Sequence, residues 1–211
     1  MAGPQRVLVV PADFVITEIT FGKTEERVVP AERHAAQVLA DQVDALSSAD
    51  HSFETQHFSD LNIDEQQTLL QHRALFATMV SQLLLVKEDA IDAWKDKERY
   101  FDYSLGPGMR EIAERHGIDT VIFLVGKDKV RSTSRKVLDA ITAVLPLGES
   151  LSSQPAVVVL GVVEMRSGQI QMFDSDTAAR KALTDDDDVR ALGKSVLTDF
   201  RSSIKDRSKA S

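Results

Sequence analysis

The 211-residue chain contains no cysteine, and this absence removes several kinds of chemistry. Without a thiol there is no disulfide, no zinc site with cysteine ligands and no catalytic cysteine. Aromatic residues are also scarce, at 6% of the chain with the single tryptophan Trp94. The lack of cysteine fits a cytosolic protein, and it fits equally an exported protein that folds without disulfides.

Long apolar runs are missing as well. The longest, ALFATMVSQLLLV at positions 74–86, is interrupted by Thr78, Ser81 and Gln82, and it falls short of the roughly 18 residues that a membrane-spanning helix needs. The opening letters MAGPQR lack the charged and then apolar pattern of a signal peptide. The sequence therefore predicts neither a membrane span nor a signal peptide, and MAGP has the look of a start placed on a shortened chain.

Positive charge is in deficit, because the formal net charge is −8 and the isoelectric point is about 5.1. An acidic surface repels nucleic acid phosphates and anionic lipid headgroups, so we predict no nucleic acid partner. The one local basic segment is KDKVRSTSRK (Lys127–Lys136), with five basic residues and one acid. It could meet a phosphate or an acidic partner, although such a run is more often a solvated strand end.

The hydrophobic 43% of the chain is arranged in alternating strand and helix patterns. Strands are predicted at 6–10, 14–29 (a pair, or one bent strand, with a turn at Gly22-Lys23), 52–58, 120–126 and 156–174 (a hairpin turning at Arg166-Ser167-Gly168). Helices are predicted after Pro30, from Asn62 to about Arg99, over 109–117, from about 132 to 145 and over 189–204. This order predicts an α/β (α+β) fold with a mixed β-sheet flanked by helices, in a single domain over residues 5–204 followed by a flexible polar tail, 205–211.

The long helix predicted after Asn62 has a clear start signal and an apolar side. Asn62 and Glu65 have the spacing of a capping box, which marks the start of the helix. Its core-facing side is predicted to carry the apolar residues at helical spacing, namely Ile63, Leu70, Ala74, Ala77, Val80 and Leu84. A helix of this length predicts a break near Lys87–Ala90.

The stretch SLGPGMREIAERHG, with Gly106-Pro107-Gly108 at its start, invites comparison with phosphate-binding loops. A Walker loop needs a lysine and a hydroxyl directly after its last glycine, whereas Met109 and Arg110 stand there. A dinucleotide loop needs a third glycine and a preceding strand. We therefore interpret the segment as a turn that starts a helix, with Pro107 in the first turn and Gly117 ending it. An anion site is the alternative.

Other candidate sites also have simpler structural interpretations. The acidic run Asp185–Asp188 lacks the spacing of a calcium loop and suits a helix start. The rings of Tyr100, Phe101 and Tyr103 could stack on a ligand, but packing is favoured. The histidines, His34, His51, His57, His72 and His116, lie on separate elements or too far apart to share a metal ion. No GxSxG elbow is present. The sequence thus predicts no catalytic, metal-binding or cofactor-binding residues.

Two segments resemble a known family. VVVLGVVEMRSGQIQMFDSD is similar to the strand–turn–strand of bacterial envelope lipoproteins, and FDYSLGPGMREIAERHGIDTVIFLVGKD resembles the helix and strand that precede it there. Together they resemble the α/β domain of the curli-secretion lipoprotein and the TolB amino-terminal domain, over roughly Arg6 to Thr177. The chain departs from the pattern at Met165, near where an acidic or apolar strand residue is usual. It also departs at Phe173, where a tryptophan is usual, and it has no lipobox cysteine.

The resemblance implies a non-enzymatic, periplasmic, lipoprotein-type interaction module. Such a module supports an envelope export or cell-wall complex, and its natural full-length form is expected to be anchored in the outer membrane by a lipid. Its expected partners are envelope proteins or copies of itself, with no cofactor. The alternative from the residues is a cytosolic α/β protein that binds a small molecule or nucleotide near Lys127, Asp128 and Ser132, at a strand's carboxyl end. A cytosolic scaffold without a ligand is the third hypothesis.

Overall fold

The computed structural model describes residues 5–20, 24–49, 53–87, 103–131, 155–178 and 181–210. Within these ranges one sheet contains β1 (Gln5–Val9), β2 (Asp13–Ile19), β3 (Glu25–Arg27), β4 (Phe53–His57), β5 (Thr120–Arg131), β6 (Ala156–Glu164) and β7 (Ile170–Ala178). The helices are α1 (Val29–Ala49), α2 (Ile63–Lys87), α3 (Arg110–His116) and α4 (Asp186–Ala210), with short 3-10 helices at Phe58–Asp60 and Pro107–Met109. The predicted fold class, α/β with a mixed sheet flanked by helices, is confirmed.

Strand β5 is the centre of the sheet, as its apolar sequence predicts. Residues 120–125 are all buried, which is typical of a strand covered by helices on both faces. One side of β5 pairs in parallel with β1 and then with β2, and the other side pairs antiparallel with β6. Beyond β1 lies β4, beyond β2 lies β3, and beyond β6 lies β7. The predicted strand pair at 14–29 and the predicted hairpin at 156–174 are both confirmed.

Helices cover the two faces of the sheet, because side chains alternate along every strand. On one face, α1 and α4 pack over Ile122 and Leu124 of β5. On the other face, α2 and α3 pack over Val121 and Phe123. Two hydrophobic clusters therefore form, one on each side, and the sheet separates them.

The prediction of which α2 residues face the core was wrong for Ile63, Leu70 and Ala74 and is confirmed for Val80. Ile63 is 73% exposed and Leu70 is 36% exposed, and Ala74 also faces outward. Besides Val80, the buried side of the helix carries Leu69 and Phe76, together with the buried carboxylate Glu65. Apolar residues occur on both sides of this helix, so their spacing alone does not identify the side that meets the sheet. Ala77 is half-buried, and the side chain of Leu84 is not among those that the structure describes.

The helix boundaries follow the sequence signals where the structure describes them. Asn62 Oδ1 accepts the backbone N–H of Glu65 at 3.0 Å, and Glu65 Oε2 accepts the N–H of Asn62 at 3.1 Å, so the capping box is confirmed. Helix α4 continues to Ala210, so the backbone of 205–210, placed in a polar tail by the sequence, is helical. The predicted helix at 132–145 and the predicted end of α2 near Arg99 lie outside the described residues. The division into one domain and a tail stays a prediction.

Gly168 allows the β6–β7 hairpin to lie against the segment that precedes α3. Its φ is +73°, in the left-handed region, and a Cβ there would lie 2.0 Å from the carbonyl oxygen of Gly106. A hydrogen bond holds the two segments together at this contact, because the N–H of Leu105 donates to Gly168 O at 2.8 Å. The predicted turn is therefore also a point of close packing between two distant parts of the chain.

Gly168→Val is expected to lower the free energy of unfolding by about 1–2 kcal/mol from the positive φ alone, and further through the contact with Gly106. The measurement is urea unfolding of the variant beside the wild-type chain. Ser167→Ala, in the same exposed turn, is the control and should cost less. Equal midpoints for Gly168→Val and the wild-type chain would contradict the assignment of this turn.

Candidate functional site

The outward side of α2 is the most unusual surface among the described residues. We call it the α2 outer face, and it consists of Ile63, Gln67, Leu70, Gln71, Ala74, Leu75, Thr78 and Ser81, all of them exposed. The eight positions lie on one side of the helix at the usual 100° per residue. None of them carries a charge, and among the described residues the one exposed charged residue on this side of α2 is Asp64 in the first turn, although charged residues make up 27% of the whole chain. Solvated helix faces normally carry charged side chains, so this face has the composition of a surface that is covered.

The hydroxyl groups of the α2 outer face are already satisfied within the helix. Thr78 Oγ1 donates to the carbonyl oxygen of Ala74 at 3.0 Å, and Ser81 Oγ donates to that of Ala77 at 3.0 Å. Their hydroxyls therefore do not depend on water for hydrogen bonding. Leu75 is 50% exposed beside them. Covering this face would remove apolar surface from water without leaving these hydroxyls unpaired, which favours a protein contact.

Sequence reasoning missed this surface because it assigned Ile63, Leu70 and Ala74 to the core. A signal was nevertheless present. From Gln66 to Ser81 the only side chain with a permanent charge is Arg73. In the structure Arg73 faces inward, where it donates to Pro11 O at 2.6 Å and lies 3.6 Å from Asp13. A helix whose outer side lacks charge beyond its first turn and whose inner side is mostly apolar has two faces to bury.

The buried carboxylate Glu32 holds the edge of the sheet rather than a ligand. Its Oε1 accepts the backbone N–H of Ile16 at 3.1 Å and the Nε–H of Arg27 at 2.9 Å, and its Oε2 accepts a second guanidinium bond at 2.8 Å. Hydrogen bonding to Glu32 raises the pKa of Arg27 above its ordinary value. Both oxygens are therefore committed to structure.

Glu65 is a second buried carboxylate whose partners belong to the fold. Besides the cap at Asn62, its Oε1 pairs with Arg115 Nη1 at 2.5 Å and with His116 Nε2 at 3.1 Å, which joins α2 to α3. Burial raises the pKa of Glu65, but the hydrogen bonds from Asn62, His116 and Arg115 outweigh it, so the net pKa lies below the ordinary value. The carboxylate is therefore ionised at neutral pH and does not act as an acid.

Asp128 is the third buried carboxylate, with 3% of its surface exposed. Its Oδ2 accepts the backbone N–H of Leu183 at 2.7 Å, which ties the segment before α4 to β5. Burial raises the pKa of Asp128 above its ordinary value, the bonds from Leu183 and Lys129 oppose this, and the charge of Asp188 adds to the rise. The folded state therefore favours the protonated form of this carboxyl more than the unfolded chain does.

Asp128→Asn is expected to keep or increase stability at pH 7, because the amide oxygen can still accept the N–H of Leu183 and no charge is buried. With the natural aspartate, stability should fall as pH rises above the ordinary value of 3.8, since the unfolded chain then releases this proton first. The Asn variant should lose that part of the pH dependence. Asp128→Ala, which leaves the Leu183 N–H unpaired, should cost about 1–3 kcal/mol. Urea unfolding between pH 4 and 8 checks all three.

The Gly106-Pro107-Gly108 segment is a helix start, as the sequence indicated. Gly106 has φ +79°, Pro107 opens the 3-10 helix, and Gly117 ends α3 with φ +64°. Gly108 lets the ring of His72 approach, because a Cβ on this glycine would lie 2.7 Å from the ring. The loop is thus filled from within the protein by a side chain of α2, and it gives no support to the anion-site alternative.

The acidic run caps α4, which confirms the structural interpretation. Asp185 Oδ1 accepts the backbone N–H groups of Asp187 and Asp188 at 3.0 and 3.1 Å. Asp186 pairs with His34 of α1 at 2.5 Å, and Asp188 accepts the N–H of Ala182 at 2.9 Å. The carboxylates are engaged with the helix and its neighbours.

The other sequence candidates are not brought together into one site. His34, His57, His72 and His116 lie on different elements, while His51, Tyr100, Phe101 and Ser132 lie outside the described residues. In the described part of the basic segment, Lys127 is exposed, Asp128 is buried and Lys129 pairs with Glu25. Tyr103 packs in the second cluster and its carbonyl accepts the N–H of Ile170. In the alternative ligand site at Lys127, Asp128 and Ser132, the carboxylate of Asp128 is therefore already hydrogen-bonded to the backbone of Leu183.

Metal clusters and membrane spans are missing from the part of the chain that the structure describes. No group of three histidine or acidic side chains is placed there to hold a metal ion. Among the helices in these ranges, none combines the length and the apolar composition needed to cross a bilayer.

No family model and no curated protein matches the chain. Among solved structures, it is similar to a PelC dodecamer from Paraburkholderia phytofirmans, with 9% identity over 93% of this chain and 88% of that one and a TM-score of 0.39. It is also similar to the LpoB C-terminal domain from Salmonella enterica (11% identity, 84% of each chain, TM-score 0.32). Lipoprotein GNA1162 from Neisseria meningitidis matches with 14% identity over 94% of this chain and 99% of that one, at a TM-score of 0.33. At these scores the likeness assigns no function.

Proposed function

We propose that this protein is a non-enzymatic interaction and assembly module of the bacterial envelope. It acts by binding other proteins, either envelope components of an export or cell-wall complex or further copies of itself. The natural full-length form is periplasmic and is attached to the outer membrane by a lipid. The observation that carries the proposal is the α2 outer face, which is exposed, uncharged and partly aliphatic.

Charge distinguishes the α2 outer face from the rest of the surface. In a chain of net charge −8, most surfaces repel an acidic partner or a second copy. The α2 outer face is free of that repulsion, and its exposed leucines and isoleucine gain about 25 cal/mol for each Å² removed from water. The envelope setting is supported by the sequence resemblance in the hairpin over 157–176 and in the helix and strand before it.

The first experiment tests whether the α2 outer face binds partners. Leu75→Glu places a charge at its centre, and Ala45→Glu places the same charge on the exposed side of α1. The tagged natural gene, wild type or variant, is expressed in its host and purified after chemical crosslinking. We expect Leu75→Glu to lose the crosslinked partners or oligomers and Ala45→Glu to keep them.

Both positions are exposed, so each variant should unfold within about 0.5 kcal/mol of the wild-type chain. Identical crosslinked products from wild type, Leu75→Glu and Ala45→Glu would refute the role of the α2 outer face.

The second experiment tests the location independently. Cells expressing the complete natural gene are labelled with radioactive palmitate and fractionated. Labelled protein in the outer-membrane fraction is expected. Unlabelled protein in the cytosol would refute the envelope setting while leaving the binding role of the α2 outer face to be judged by the crosslinking experiment.

A further inference from the structure

A gap interrupts the edge of the sheet where β1 passes into β2. The two strands follow one another along the same side of β5 with a shift of one residue, since Val9 lies opposite Ile122 and Asp13 lies opposite Val125. On the outer side, β4 ends opposite Val9, and β3 pairs only with Thr17–Ile19. No described strand pairs with the outer side of residues 10–16. Because the backbone groups of Ile16 are bonded to Glu32 and Val28, the open edge covers residues 10–15, which is about 16 Å at about 3.3 Å for each residue.

A cavity of about 510 Å³ fills this gap. We call it the edge cavity. Phe14 of β2 lines it on the sheet side, Ala36 and Ala40 line it on the α1 side, and His57 and Arg27 lie where β4 ends and β3 begins. Its volume is within the range of about 300–1,000 Å³ that is usual for ligand sites.

The backbone of β2 presents hydrogen-bonding groups to the edge cavity. At Ile16, both backbone groups on this edge have hydrogen-bond partners. Its N–H donates to the Glu32 carboxylate at 3.1 Å, and its carbonyl accepts the N–H of Val28 at 2.8 Å. Backbone groups alternate in direction along a strand, so the N–H and C=O of Phe14, two residues earlier, point to the same outer side. At Phe14 this side opens into the edge cavity. The site therefore offers a backbone donor and acceptor beside apolar walls, which is what an extended peptide binds.

Charges at the edge cavity indicate which peptide fits. Glu32 and Asp13 are each paired with an arginine, Arg27 and Arg73 respectively. The remaining carboxylate and guanidinium that line it on α1 are Asp44 and Arg33, and neither side chain forms an ion pair with another described residue. They stand eleven residues apart, which is about 16 Å along a helix. Two side chains four residues apart on an extended peptide lie on the same face and are about 13 Å apart, and the reach of the long charged side chains covers the remaining few ångströms.

We propose that the edge cavity binds an extended peptide segment of a partner protein, which adds to the open sheet edge at Phe14. The segment carries an acidic residue that meets Arg33 and, four residues away on the same face, a basic residue that meets Asp44. This site is separate from the α2 outer face and does not depend on it.

The test measures the binding of a defined probe, fluorescein-labelled Lys-Thr-Val-Thr-Glu, to the full chain by fluorescence anisotropy. We expect saturable binding. Ala36→Trp, which fills the edge cavity, should weaken binding at least about tenfold, whereas Ala45→Trp on the exposed side of α1 should not. The same peptide with alternate backbone nitrogens methylated cannot pair with the edge and should not bind.

Arg33→Glu provides a surface variant that does not depend on filling the cavity, and it should also weaken binding severalfold. The slowing of amide hydrogen exchange at Phe14 in the presence of the probe is the direct readout of pairing. The proposal is overturned by an absence of saturable binding up to about 1 mM peptide, by equal affinity for Ala36→Trp and Ala45→Trp, or by equal binding of the methylated peptide.

Discussion

Replacing Phe76 by alanine is expected to lower the free energy of unfolding by about 3–5 kcal/mol. Phe76 is fully buried on the inner side of α2, and its ring stacks on Phe123 of β5 with centroids 5.8 Å apart. It also lies 6.4 Å from the ring of Phe173 on β7. The truncation would remove contacts with both strands and leave a cavity where α2 meets the sheet.

Gly161 makes the prediction more specific, because this glycine of β6 lies directly under the Phe76 ring. A Cβ at position 161 would lie 2.3 Å from that ring. Gly161→Ala alone should therefore destabilise the protein by overpacking. Combined with Phe76→Leu, it should cost less than the sum of the two single changes.

Denaturant unfolding of the two single variants and the double variant measures this coupling. Phe76→Leu alone serves as the matched reference for the smaller side chain. Additive effects of Phe76→Leu and Gly161→Ala would contradict the packing of this ring on the strand.

Glu65→Ala is expected to cost about 2–3 kcal/mol at pH 7, because it removes a helix cap and leaves buried donors of α2 and α3 unpaired. The pKa of Glu65 is lower in the folded protein than its ordinary value of 4.5. The stabilisation that comes from its charge is thus present above that value and is lost as pH falls through the folded pKa.

Glu65→Gln keeps an acceptor for the Asn62 N–H but removes the charge, so it should cost less than Glu65→Ala at pH 7 and lose this pH dependence. Glu114→Ala, an exposed change on α3, is the control and should stay within about 0.5 kcal/mol of wild type. Thermal unfolding between pH 3 and 7 provides the measurement. Parallel pH profiles for wild type and Glu65→Gln would contradict the role assigned to the carboxylate.

Much of the fold could be predicted from the sequence because its signals are local. The apolar run TVIFLVG identified the central strand, since a strand covered on both faces is apolar throughout. The turn at Gly168 and the capping box at Asn62 and Glu65 depend on the chemistry of a few neighbouring residues. Such signals survive folding because the structure around them satisfies the same hydrogen bonds.

The two candidate surfaces could not be predicted in the same way, because they depend on long-range pairing. The α2 outer face requires knowledge of which side of an apolar helix meets the sheet, and Leu69 and Leu70 are indistinguishable by type. The edge cavity arises only when β1 and β2 share one side of β5 with a shift of one residue. Pro11 marks an interruption there, but the sequence does not show that both strands pair with the same partner.

The most direct test of the central claim is photo-crosslinking at single positions in living cells. A benzoylphenylalanine is placed at Leu75 in the α2 outer face, or at Ala45 on the exposed side of α1, in the complete natural protein. The account predicts that ultraviolet light produces discrete crosslinked products from position 75, containing an envelope protein or a second copy, and none from position 45. No product from position 75, or the same products from both positions, would contradict the claim that the α2 outer face is where this module binds its partners.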